Sequence, residues 1–177
     1  MNIFICIFVI QMKKISIPIR YLPEKLSRKD RKKQVTMLRK SKKMYLQGKY
    51  YTRRKLPSYE NKVSKHIKNA RKIYNLDKIK PSQELSKATG CSISALEKIV
   101  NKGEGAYFSS GSRPNQTAQS WGLARLASSI TGGKSAAVDY DILEKGCNHT
   151  KKAFLLARKS VKKYNHGRGK TRKTIVS

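Results

Sequence analysis

The chain has 177 residues, with 41 Lys/Arg against 10 Asp/Glu and a net charge of +31. That length holds one ordinary domain, or a smaller one with tails, and so large an excess of one sign opposes its own compaction. A polyanionic partner follows, with nucleic acid the commonest and acidic proteins or anionic membrane surfaces the alternatives. Three cysteines without paired spacing (Cys6, Cys91, Cys147) argue against a disulfide framework and give an intracellular reading.

The charge is unevenly spread. Residues 12–80 hold 24 Lys/Arg against 4 Asp/Glu, residues 148–177 hold 10 against none, and residues 81–147 hold 7 against 6. The pattern predicts an apolar leader over 1–11, a basic N-terminal arm with one helix over 12–57, a central helical domain over 58–147, and a basic C-terminal helix and tail over 148–177. The fold class expected is mainly α: a small helical domain with basic, partly disordered arms.

Residues 3–10, IFICIFVI, are wholly apolar. A membrane-spanning helix needs about twenty such residues, and neither a basic segment nor a cleavage site flanks this run. Either translation begins at Met12 or the run is a buried strand. Ser27 to Gln47 reads as a helix, capped by Ser27 with Asp30 answering and stopped at Gly48. Its apolar positions are few (Val35, Leu38, Tyr45), so the isolated helix is expected to be marginal. Arg28, Lys29, Arg31, Lys32, Lys33, Arg39, Lys40, Lys42 and Lys43 cover the rest of it and predict a polyanion contact. Next, Tyr50 and Tyr51 interleave with Arg53, Arg54 and Lys55. Either the rings stack on bases while the cations meet phosphates, or the tyrosines pack on the domain.

An amphipathic helix is expected from Ser58 to Tyr74, with Val63, Ile67, Ala70 and Tyr74 on one face. Ser82 caps a helix to Thr89, Gly90 turns, and Ser92 caps a second helix that runs until Gly103. This unit has the register of a helix-turn-helix, with Ser92, Ser94, Ala95, Glu97 and Lys98 as the reading face, or it is a packed helical hairpin. Glu97 on that face favours the hairpin. Gly103 and Gly105 bracket a turn, and Ser109 to Gln116 is an ordered loop rich in turn formers. Thr117 caps a helix through Thr131, which Gly132-Gly133 terminates, and Asp139 caps a short helix to about Lys145. The run from Ser128 to Ser135 is not a phosphate loop, because a helix pattern rather than a buried strand precedes Gly132. Thr150 to Tyr164 forms a last helix. The tail from His166, carrying Arg168, Lys170, Arg172 and Lys173, reads as flexible and solvated.

The motifs GAYFSSGSRPNQT (105–117), SWGLAR (120–125), GGK (132–134) and DYD (139–141), with the basic region from Tyr21 through Tyr74, resemble an uncharacterised domain family of large eukaryotic DNA viruses with looser relatives in tailed phages. The resemblance implies a viral origin and a virion role. It implies no chemistry.

No paired carboxylates, Cys/His pair or metal cluster stands out, so no enzyme, cofactor or metal site is expected. The expected function is nucleic-acid binding, DNA above all, largely without sequence preference, in a virion or nucleoid within the infected cell. The alternative is a minor capsid or scaffold component whose arms bind acidic viral structural proteins. A local anion site is also expected at Arg113, where the loop delivers the chain to the helix N-terminus at Thr117, with Arg125 extending it or pairing with Asp139 or Asp141.

Overall fold

A computed structural model describes residues 15–168 and 171–176. The apolar run 3–10 and Lys170 lie outside the described residues. The fold is mainly α. Strand β1 (Ile15–Pro18) leads through a single 3-10 turn to α1 (Arg28–Leu46), α2 (Lys65–Tyr74), α3 (Gln83–Thr89), α4 (Ile93–Ser109) and α5 (Ala118–Ile130). Then follow α6 (Lys134–Val138), α7 (Tyr140–Gly146), α8 (Lys152–Lys163) and strand β2 (Lys173–Val176). The two strands pair antiparallel, Ile15 opposite Val176 and Pro18 opposite Lys173, so the residues expected as a free tail return to the start of the chain.

The main core fills the space between α2 and α8, where Leu85, Leu96, Ile99, Leu126, Ile130, Leu143 and Phe154 pack together. At its centre α4 crosses α5 closely. A Cβ on Gly103 would lie 2.7 Å from the Gly122 Cα, and one on Gly122 would lie 2.8 Å from the Val100 carbonyl oxygen. This close approach explains why α4 runs on through Gly103 and Gly105, where a turn was expected. Gly103 is there for contact between backbones rather than for a break.

Several local expectations hold. Ser27, Ser82 and Ser92 each accept the backbone N–H three residues on, and Gly90 takes the left-handed conformation after α3. Thr117 and Ser120 exchange side-chain bonds to each other's backbone N–H groups in a capping box. Others need correction. Lys134–Val138, for which no helix was expected, forms α6. The helix expected from Ser58 starts only at Lys65, because Asn115 draws the preceding chain aside: its Oδ1 accepts the Leu56 N–H (2.7 Å) and its Nδ2 donates to the Leu56 and Tyr59 carbonyls.

The expectation against a disulfide is also overturned. Cys91 and Cys147 face each other across an isolated antiparallel bridge and form a disulfide. Their separation of 56 residues leaves no trace in local spacing. The bond fastens the α3–α4 turn to the end of α7, beside the Ser92 N–H donated to the Gly146 carbonyl (2.8 Å).

Three outcomes follow. Gly122→Ala lowers stability by about 1–3 kcal/mol in chemical denaturation, since the methyl must displace Val100 or the α4 backbone. Gly105→Ala is neutral or stabilising, because only the Tyr45 hydroxyl stands near, at 3.5 Å, and the helix gains propensity. Reduction of the Cys91–Cys147 bond costs on the order of 4 kcal/mol by loop closure. A non-reduced digest yields the linked peptide pair, and dithiothreitol lowers the denaturation midpoint.

Candidate nucleic-acid interface

Helix α1 divides cleanly by residue type. Its inward stripe is Asp30, Gln34, Val35, Met37, Leu38 and Ser41, all buried. These positions recur at intervals of three and four, and none is a cation. Arg28, Lys29, Lys32, Lys33, Lys40, Lys42 and Lys43 remain exposed, as do Arg54 and Lys55 beyond the helix. Asp30, the helix's only acid, is withdrawn from this surface. The Ser58 N–H (3.0 Å) and hydroxyl (2.7 Å) donate to its Oδ2 and hold the carboxyl below its ordinary pKa, while Lys33 approaches only to 3.9 Å. The result is a basic face with its negative charge masked.

Arg31 and Arg39 sit at the margin, half-buried. Arg31 donates to the Leu22 carbonyl at 3.0 Å. Arg39 Nη2 is buried and has no hydrogen-bond partner among the described residues. The two tyrosines part company. Tyr51 is half-buried under the Lys40 ammonium, 4.7 Å from its ring centre. Tyr50 is 70% exposed and leans on Phe108, ring centres 4.9 Å apart. Arg168, Arg172 and Lys173 are exposed at the other end of the chain.

Arg53 departs from the rest of the set. Only 9% exposed, it points into the protein. Its Nη1 donates to Ser41 Oγ and to the Tyr107 carbonyl, both at 3.0 Å, its Nη2 donates to Ser112 Oγ at 2.7 Å, and the guanidinium lies 3.6 Å from the Tyr107 ring centre. Burial pushes its pKa below the usual arginine value, against the opposing effect of nearby tyrosines. Arg53 therefore joins α1, α4 and the following loop rather than facing solvent. Nothing local in the run Arg53-Arg54-Lys55 marks which cation turns inward.

Of the three residues expected at the anion site, Arg125 takes the second of its two expected roles and pairs with Asp139. Arg125 Nε and Nη2 donate to Asp139 Oδ2 (2.8 Å) and Oδ1 (2.6 Å), and Lys102 (3.1 Å) and Ser129 (3.0 Å) complete the shell of this fully buried carboxylate. So engaged, the Asp139 side chain does not cap α7, contrary to expectation. The Thr117 hydroxyl is committed to its capping box. Arg113 is exposed and lies near His66, whose imidazole pKa is lowered by burial first and by the Arg113 charge second.

Sequence reasoning missed the polar clasp under the interface. Gln34 Nε2 donates to the Tyr21 and Ser112 carbonyls (3.2 and 3.3 Å), while Asn115, at φ +58°, grips residues 56–59. Only the cation-free stripe on α1 gave notice of it. Among the described residues no cluster of His, Cys, Asp and Glu is placed to hold a metal, and no helix is long and apolar enough to cross a membrane.

A family model, described as a family of unknown function (DUF5824), matches residues 18–146. The chain belongs to that family. The match takes in both α1 with its basic face and the loop that clasps it. No curated protein and no solved structure matches the chain.

The two neighbouring arginines separate structure from surface. Arg53→Ala lowers stability by about 2–4 kcal/mol, since it removes a buried charge-assisted network and orphans its acceptors. Arg54→Ala stays within about 0.5 kcal/mol. Urea denaturation of the two variants side by side is the check, and equal losses would contradict the assignment.

Proposed function

We propose that this chain is a non-enzymatic nucleic-acid-binding protein, acting in a virion or nucleoid within the infected cell, DNA being its first partner. The observation that carries the reading is the α1 surface: seven exposed Lys/Arg on one helix whose single acid is turned inward and masked. Lys and Arg so placed neutralise backbone phosphates and release counterions, which gives affinity without sequence choice. Arg54 and Lys55 extend the surface, and Arg168, Arg172 and Lys173 add cations elsewhere on the molecule.

The helical hairpin argues against sequence readout only in part: Ala95 is buried against Gly146, while Ser92, Ser94, Glu97 and Lys98 stay exposed with a single cation among them. The viral setting rests on the resemblance carried by the GAYFSSGSRPNQT, SWGLAR, GGK and DYD motifs.

On the order of eight phosphate contacts make log affinity for duplex DNA fall with log salt at a slope near −7. Each of Lys32→Gln, Lys33→Gln and Lys40→Gln flattens that slope by about one and weakens all duplex sequences alike. Filter binding across a salt series measures it. A shallow slope, or a strong preference for one duplex sequence, counts against the reading; tight binding to acidic coat protein in place of DNA would favour a capsid or scaffold role.

A further inference from the structure

Beside the basic face lies a groove of about 550 Å³ between α1, β1 and the end of α4. Arg39, Lys42, Lys43 and Leu46 reach it from one face of α1, at the spacing that brings successive turns into line. Lys173 faces them from β2, and Ser109 and Ser110 close the end. Ile17 and Leu38 supply aliphatic wall. No Asp or Glu is among the lining residues.

Two observations point to an occupant. The first is the Arg39 guanidinium, buried at Nη2 without a partner among the described residues. Among the described residues nothing compensates its desolvation, and a phosphate oxygen is the acceptor that fits its planar donors. Four cations without a carboxylate exceed what one carboxylate ligand needs and suit consecutive phosphates. The second is Tyr50. Its exposed ring is held against Phe108 and Tyr45, which are chain neighbours of the groove residues Ser109 and Leu46. An aromatic face kept free beside a phosphate-sized cationic groove is the pairing used to hold single strands, the base on the ring and the backbone on the cations.

We propose that this groove seats a short stretch of single-stranded nucleic acid, with backbone phosphate on Arg39 and its neighbouring lysines and a base stacked on Tyr50. The proposal rests on the nucleic-acid reading above and adds a second mode to it. The major groove of a duplex alone is about 12 Å wide, and the cleft has the volume of a small-ligand site, so a duplex stays on the outer face of α1 while a single strand enters.

The test uses the full chain at near-physiological salt, with a labelled thymidine tetranucleotide and a duplex of arbitrary sequence as probes in fluorescence anisotropy. Arg39→Gln and Tyr50→Ala each weaken the tetranucleotide about tenfold or more and change duplex affinity by less than about threefold. The Arg39→Gln melting temperature is unchanged or higher, because the variant removes an unpartnered buried donor. Lys29→Gln with Lys32→Gln, both outside the groove, gives the opposite pattern. If Arg39→Gln weakens both probes by the same factor, the groove is only part of the general basic surface and the proposal fails. It fails equally if the tetranucleotide does not bind while decyl phosphate does so in an Arg39-dependent way, since the occupant is then an amphiphile. Loss of duplex binding by the unaltered protein would instead sink the broader nucleic-acid reading.

Discussion

The placement of the basic helix depends on one buried guanidinium. Arg53 bonds to Ser41 on α1, to the Tyr107 carbonyl on α4 and to Ser112 in the loop after α4, and stacks on the Tyr107 ring. All of these partners are neutral. A charge in such a place is tolerable only when its donors find acceptors and its face finds a ring. The Tyr107 hydroxyl meanwhile accepts the Arg53 backbone N–H at 3.2 Å, so the same two residues are locked both ways. Without the guanidinium α1 keeps modest apolar contacts, Val35 and Leu38 with Tyr21 and Leu22 and Met37 with Leu26 and Leu56, together with the polar bonds of Asp30, Gln34 and Ser41.

Such modest apolar contact is what a charge of +31 leaves room for. A helix with nine Lys/Arg cannot offer a broad apolar face, so its docking is completed by polar groups: Gln34 to two carbonyls, Ser41 to the Phe108 carbonyl at 3.1 Å, and Asp30 to Ser58. Buried polar groups that are fully bonded fix one geometry, because any other leaves them unsatisfied. The expectation of a marginal helix concerned α1 in isolation; within the chain its docking is completed by polar groups that hydrophobic periodicity does not register.

The sequence made the helices legible wherever the signal was local. Caps at Ser27, Ser82, Ser92 and Thr117 and stops at Gly48, Gly90 and Gly132 depend on a residue and its near neighbours, and they stand where the pattern put them. What failed was long-range. Gly103 looked like a turn because its reason for being glycine, the Gly122 backbone, lies on another helix. Asp139 looked like a cap because Arg125 and Lys102 cannot be seen from its own neighbourhood. The candidate site divides in the same way. The exposed cations were legible from composition, whereas the inward turn of Arg53 and the engagement of Arg125 with Asp139 needed the fold.

The arrangement also explains why a nearly neutral stretch sits beside such strongly basic ones. In the loop from Ser110 to Gln116, Ser112 and Asn115 hold the chain on either side of Leu56, and Gly111, at φ +94°, lets Leu38 approach where a Cβ would stand 2.6 Å from its Cδ2. Of the central acids Asp139 alone is fully buried, on Arg125 and Lys102, while Glu84, Glu97, Asp141 and Glu144 stay exposed, so the domain keeps both signs on its surface. The domain supplies the polar sockets, and α1 supplies the field.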